Sequence, residues 1–117
     1  LPVNSRVSTC DNSGAKIIKI FSVKGKVKGR IAGVGDLVMA SVVNGRPDIR
    51  KQVVFAVIVR QKKEYRRPDG TRIKFEDNAA VVLKDEGDPK GTIFKGPIAK
   101  EACDRWPGVA KLASIIV

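Results

Sequence analysis

This 117-residue chain predicts a mainly β fold: a small five-stranded β-barrel with a projecting basic β-hairpin and a short helical C-terminal segment. Three observations predict it. Five short runs are rich in β-branched residues and are separated by turn-forming clusters. Several of these runs are apolar at both parities, as in strands buried on both faces of a closed barrel whose outside is also covered. Between the last two runs lies a stretch crowded with cations around Pro68, Asp69 and Gly70. A chain of this length forms one domain, 1–117, large enough for a core without metal or disulfide staples.

Residues 3–10 form a weakly alternating first strand, and the turn cluster Asp11-Asn12-Ser13-Gly14 leads into a second strand over 15–23. There Lys16 and Lys19 fall on opposite parities, so either a bulge intervenes or one lysine lays its stem over apolar surface. The runs LVMASVV (37–43) and VVFAVIV (53–59) are too short for confident helices and read as strands. Residues 79–83 complete the five. Helices are scarce, so loops or partners are expected to cover the barrel. Residues 85–89 form an acidic turn without the oxygen-ligand spacing of a calcium loop. Gly96-Pro97 starts a helix, Trp106-Pro107-Gly108 ends it, and a second helical turn follows over 109–114, giving a helical tail at 97–114. Trp106 is expected to pack this tail on the barrel, and Phe21, Phe55 and Phe75 to lie in the core.

The formal charge is +11, and it is unevenly placed. Residues 1–76 carry 17 basic and 6 acidic side chains, whereas 77–117 carry 6 of each. Scattered surface lysines do not explain that asymmetry; an anionic partner does. The basic hairpin, 60–76, holds Arg60, Lys62, Lys63, Arg66, Arg67, Arg72 and Lys74 against only Glu64 and Asp69 before its last strand residues. Asp69 can bond its own backbone and Gly70 tolerates a positive φ, which suits a type I turn closed by a bulge. A ribbon this polar has no core of its own, so an external polyanion is expected to order it. Lys24, Lys26, Lys28 and Arg30 recur every second residue with Gly25 and Gly29 between, a loop suited to phosphate contact. Arg46, Arg50 and Lys51 sit on the connection between the third and fourth strands. The GVG of residues 33–35 lacks the Gly-Lys-Ser/Thr and third glycine of phosphate-cradling loops.

Catalysis is not indicated. With no histidine, the usual near-neutral acid–base group is missing, and no Gly-x-Ser-x-Gly motif occurs. Cys10 and Cys103, without CxxC spacing, read as small apolar residues in a reducing compartment rather than as metal ligands or a nucleophile. No cofactor and no metal are implied. No apolar run reaches the length of a membrane span and no signal peptide opens the chain, so a cytoplasmic location without membrane contact is expected. The first residue is Leu1, so a few N-terminal residues are expected to precede it. Tyr65 is the one candidate for base stacking. That scarcity favours structured RNA recognised through backbone and shape over a single strand held on aromatic platforms. Read from the residues alone, an RNA-scaffold protein competes with a non-ribosomal barrel adaptor that binds acidic proteins or anionic membrane surfaces.

The order Ala56, Val57, Ile58, Val59, Asp69, Gly70, Phe75, Asn78, Val81, Val82 resembles the pattern of the large-subunit ribosomal protein number fourteen family. The resemblance extends through TCDNSGA at 9–15, AGVGD at 32–36 and KGPIAKE at 95–101, and so covers nearly the whole chain. The tail EACDRWPGVAKLAS at 101–114 is similar to the archaeal and eukaryotic branch. What the resemblance implies is a structural constituent of the large ribosomal subunit that binds large-subunit rRNA and contributes to intersubunit bridges. It also implies contact with neighbouring large-subunit proteins, with small-subunit rRNA across the interface, and with a subunit anti-association factor. On that footing Lys95, Lys100 and Arg105 are expected to serve the protein and subunit interface.

Overall fold

Strands β4 (Val53–Arg60) and β7 (Ala79–Leu83) lie side by side, and neither carries a polar side chain in its central residues. Each therefore needs two apolar environments. In the computed structural model, which describes residues 5–23, 33–47, 50–67, 69–83, 89–91, 94–113 and 115–117, they find them on opposite sides of one sheet. Ala56, Ile58, Ala80 and Val82 point into a barrel with Val7, Ile18, Ile20, Val38, Ala40 and Val42. Val57, Val59, Ala79, Val81 and Leu83 point outward into a second cluster, formed with Phe94, Ile98, Ala102, Cys103 and Val109 of the C-terminal tail. The outer covering is thus built from the chain's own helices, not from loops or partners alone.

The barrel closes in the order β1 (Arg6–Thr9), β2 (Ala15–Val23), β3 (Leu37–Gly45), β4, β7. Neighbours are antiparallel except at the seam, where β1 and β7 run parallel with Ser8 opposite Ala79 and Thr9 opposite Ala80. Of the expected first strand, Val3 and Asn4 lie outside the described residues, and the ladder occupies only Arg6–Thr9. Register shifts in β2 fall at Ala15/Ile17, Ile17/Ile18 and Ile20/Ser22. Bulges therefore separate Lys16, which is exposed, from Lys19, which is half-buried. Phe21 follows Ile20, which faces the barrel core, so alternation turns it outward and leaves it 43% exposed instead of in the core. Phe55 and Phe75 are only half-buried, Phe75 outside any strand.

Where β1 ends, a side chain extends the seam. The Asp11 carboxylate is buried and accepts the Val82 N–H of β7 at 2.8 Å on Oδ2, with Ser13 Oγ–H at 2.8 Å and Ser13 N–H at 3.4 Å on Oδ1. Burial pushes its pKa up against the opposing pull of these bonds. The family-like segment TCDNSGA thus serves barrel closure.

Beyond β7, the hairpin strands β5 (Tyr65–Arg66) and β6 (Arg72–Ile73) precede it in sequence, and the tail follows it as β8 (Pro97–Ile98), α1 (Lys100–Arg105), α2 (Pro107–Leu112) and β9 (Ile115–Ile116). The helix expected from Gly96-Pro97 begins three residues later. Pro97 and Ile98 instead pair in parallel with Ile115 and Ile116. Pro107 opens α2 at its first turn, where its missing N–H costs nothing. Trp106, between the helices, anchors the tail: its Nε1–H donates to the Gly35 carbonyl at 3.0 Å, and the Arg105 guanidinium lies 5.6 Å over its ring. Cys10 and Cys103 are buried free thiols in the outer cluster; burial, partly offset by Arg60, pushes Cys10 up to about 11. The acidic segment 85–88 lies outside the described residues.

Asp11→Ala strands a buried backbone donor at the seam, so unfolding free energy should fall by about 1–3 kcal/mol. Urea denaturation measures this; an unchanged midpoint would show that the carboxylate does not hold β1 to β7.

Candidate nucleic-acid interface

Strand direction sorts the cations between two ends of the barrel. β3 and β4 are antiparallel with Ser41 opposite Val53 and Leu37 opposite Val57. The connection bearing Arg46, Arg50 and Lys51 is therefore at one end, and the hairpin that follows Arg60 is at the other. Val23, the last residue of β2, pairs with Val38 and lies at the hairpin end. Lys24, Lys26, Lys28 and Arg30 themselves lie outside the described residues.

The hairpin is two-faced. Tyr65 stands opposite Ile73 and Arg66 opposite Arg72. Its turn closes as its residues require: Gly70 has φ +93°, its N–H donates to the Arg67 carbonyl at 2.9 Å, Arg67 N–H donates to Thr71 O at 2.8 Å, and Asp69 Oδ1 accepts Thr71 N–H at 2.9 Å. Alternation then separates the side chains. Tyr65, Arg67 and Ile73 are half-buried, while Glu64, Arg66, Arg72 and Lys74 are exposed, as are Lys62 and Lys63 nearer the barrel. Arg66 and Arg72 are like charges directly opposite each other, an arrangement that costs stability unless an anion sits between them. The Arg72–Glu64 contact, 3.2 Å with side chains 70% and 43% exposed, is the kind of surface pair worth about 0–1 kcal/mol. A phosphate can displace it.

Two hairpin arginines are differently employed. Arg67 Nε–H donates to Glu101 Oε2 at 2.8 Å, and its Nη2 reaches Oε1 at 3.3 Å and the Val117 carbonyl at 2.6 Å. Tyr65 O–H donates to Glu101 Oε1 at 2.9 Å. Burial raises the Glu101 carboxyl, but the bonds from Arg67 and Tyr65 outweigh it and hold the group below its ordinary range. The Tyr65 phenol is pushed up to about 12 by burial and by its bond to Glu101. The hairpin is therefore tied to the chain's own tail as well as open to an external polyanion, and Tyr65 is engaged through its hydroxyl.

Arg60 is the other. Its Nη1 donates to the carbonyls of Lys95 at 3.0 Å and Pro97 at 3.4 Å, and its Nη2 to Asp77 Oδ2 at 3.3 Å. Nε lies 3.1 Å from Asp77 Oδ1 as an ion-pair contact, out of line for a hydrogen bond. Gly96, at φ +77°, makes room: a Cβ there would lie 2.3 Å from Nη1.

At the far end, Arg46 Nη2 donates to Ser13 O at 3.0 Å, and Arg50 Nη2 reaches Gly45 O at 3.4 Å. Lys51 is exposed and holds a left-handed backbone at φ +67°. On the tail side Lys95 and Lys100 are exposed. Arg105, half-exposed, meets Asp36 Oδ1 at 3.3 Å and the Gly35 carbonyl at 3.2 Å. The GVG loop is accordingly a fastening: Asp36 Oδ2 accepts Gly33 N–H at 2.7 Å, and Gln61 Oε1 accepts Val34 N–H at 3.2 Å. Sequence reasoning missed the acids that make these ties, Asp11, Asp36, Asp77 and Glu101. Three of them stand inside the segments that carry the family resemblance, which was the available signal.

A family profile described as Ribosomal protein L14p/L23e matches residues 1–117. The large ribosomal subunit protein uL14 of Nanoarchaeum equitans is 58% identical over 123 aligned positions, which cover 100% of this chain and 92% of that protein. Proteins of the same name from Methanococcus vannielii and Methanococcus maripaludis are 55% and 56% identical, each over 99% of this chain and 91% of the relative.

Tyr65 is the single tyrosine, so its titration is read without overlap, and comparison with a Glu101 variant separates the bond from burial. Its folded pKa lies above the ordinary 10.0, so the neutral, hydrogen-bonded phenol persists through pH 10 and is lost as pH rises toward about 12. Phenolate absorbance should show that midpoint, moved downward in Glu101→Ala. A wild-type midpoint at the ordinary value would show that the hydroxyl is not held.

Proposed function

The chain belongs to the ribosomal protein L14p/L23e family, structural and non-catalytic constituents of the large ribosomal subunit in the cytoplasm, and from that premise we propose that it binds large-subunit rRNA mainly through the outward face of its hairpin. The observation that carries this reading is the pairing of Arg66 with Arg72 on an exposed face shared with Lys74 and flanked by Lys62. Arginine's planar fork binds phosphate bidentately and lysine adds a mobile charge. Such contacts position a protein on an RNA helix by the geometry of its backbone. Lys63, Arg46, Arg50 and Lys51 extend the contact, the last three at the opposite end of the barrel, and Lys24, Lys26, Lys28 and Arg30 belong to the same set by sequence. Arg60 and Arg67 support it from within, since their guanidinium groups are already committed to Asp77 and Glu101.

The tail supports a second role. Ile115, Ile116 and Val117 are 55%, 52% and 44% exposed next to Lys100, whose N–H donates to the Val117 carbonyl, an apolar and basic surface suited to neighbouring large-subunit proteins. With Lys95 these residues form the proposed subunit-interface side, where small-subunit rRNA and a subunit anti-association factor would meet the protein. An adaptor for acidic proteins or anionic membranes has nothing in its favour beyond the charge itself.

Phosphate contacts release counterions, so affinity must fall steeply with salt, with a slope of roughly −0.7 to −0.9 per phosphate neutralised. Replacing Lys62, Arg66, Arg72 and Lys74 together by Ala should shallow the slope by about 3 on a ribosomal RNA fragment, and similarly on a shuffled duplex. If the slope stays at the wild-type value, these cations are a solvated face and the reading fails.

A further inference from the structure

Acidic residues in an RNA-binding protein ordinarily weaken binding, because they repel phosphate. Glu101 is placed to do the opposite. We propose that Glu101 is a positioning residue for rRNA recognition: it fixes the hairpin against the tail so that Arg66, Arg72 and Lys74 face the RNA together. The inference rests on the reading that the hairpin's outward face contacts rRNA.

The geometry is specific. Tyr65 and Arg67 are two residues apart and so share one face of the ribbon, with Arg66 on the other. Both reach the same carboxylate, Tyr65 Oη at 2.9 Å and Arg67 Nε at 2.8 Å, and Arg67 continues to the Val117 carbonyl at 2.6 Å. The Val117 carbonyl is itself held by Lys100 N–H at 2.9 Å, so α1 and β9 form a single anchor. Among the described residues, the hydrogen bonds that join the outer part of the hairpin to the tail converge on this anchor. The ribbon's own ladder is only two residues per strand, and such a ribbon is marginal in water. Pinning one face therefore sets the direction of the other. Without the pin, ordering the ribbon becomes a cost of binding.

The sign of the effect separates this role from simple electrostatics. Glu101→Ala removes a negative charge from a protein already at +11, so charge alone predicts tighter binding to RNA. Positioning predicts weaker binding.

The experiment uses the full chain and a large-subunit rRNA fragment at one fixed salt concentration. Four proteins are compared: wild type, Glu101→Ala, the swap Arg67→Glu with Glu101→Arg, and the Lys62, Arg66, Arg72, Lys74 quadruple Ala variant. Amide exchange at Arg67 and Thr71 reports the ribbon, and thermal melting reports the barrel. Glu101→Ala should bind roughly five- to tenfold more weakly, the scale of ordering two side chains on binding. Its ribbon exchange should be faster and its barrel melting unchanged. The swap, which recreates the ion pair at the same net charge as wild type but not the Arg67 bond to the Val117 carbonyl, should recover part of the affinity. Equal or tighter binding by Glu101→Ala, with the quadruple variant still impaired, would overturn the role of Glu101 alone. Wild-type affinity in the quadruple variant would overturn the RNA role of the hairpin, and this inference with it.

Discussion

Two adjacent strands that are apolar on both faces impose the main constraint on this molecule. Residues such as Val57 and Ile58 are neighbours in sequence, are both fully buried, and belong to different clusters. Burying each such side chain is worth about 1.5–3 kcal/mol, and half of that sum on β4 and β7 is available only if something covers the outside of the barrel. The tail supplies the cover. Once it lies on β4 and β7, Glu101 is brought to the outer part of the hairpin and Trp106 to the Gly35 carbonyl. The position of the basic ribbon thus depends on apolar packing of the tail as well as on the Arg67–Glu101 pair that this packing brings together.

Few of the acids near these ties are spent on neutralising the exposed basic face. Asp11 holds the barrel seam, Asp36 the GVG loop and Arg105, Asp77 the guanidinium of Arg60, and Glu101 the hairpin. Each takes a donor that would otherwise be unpaired at a junction between elements. A buried or half-buried polar group left without its partner costs more than a surface ion pair contributes. Chain charges are therefore divided by place. Among the described residues these four acids sit at joints, while Arg66, Arg72 and Lys74 remain exposed on the hairpin.

The barrel was legible because its signals are local. Short β-branched runs, turn clusters and apolar residues at both parities each report on a few consecutive positions, and Gly70 showed its turn by composition alone. What was not legible depends on distant partners. Gly96-Pro97 looks like a helix start until Pro97 and Ile98 are seen to pair with Ile115 and Ile116. Phe21 reads as core until Ile18 and Ile20 are seen to take the inward face of β2, which leaves Phe21 on the other. Arg67 looks like one cation among seven, and only the approach of α1 distinguishes it from Arg66, one position away. Charge composition marked the hairpin as the most basic stretch of the chain, but it could not say which guanidinium groups were already occupied.

The order in which the barrel and its cover leave the site of synthesis has a cost of its own. All five barrel strands are complete at Leu83, but the residues that cover Val57, Val59 and Val81 run from Phe94 to Ala113. A nascent chain can therefore close its barrel while a strip of valine still faces water. Exposed β-branched surface is an ordinary starting point for self-association. The high positive charge of the first 76 residues offers a counterweight, since like-charged nascent chains repel one another. The later the last helical turns arrive, the longer that apolar strip would stay uncovered.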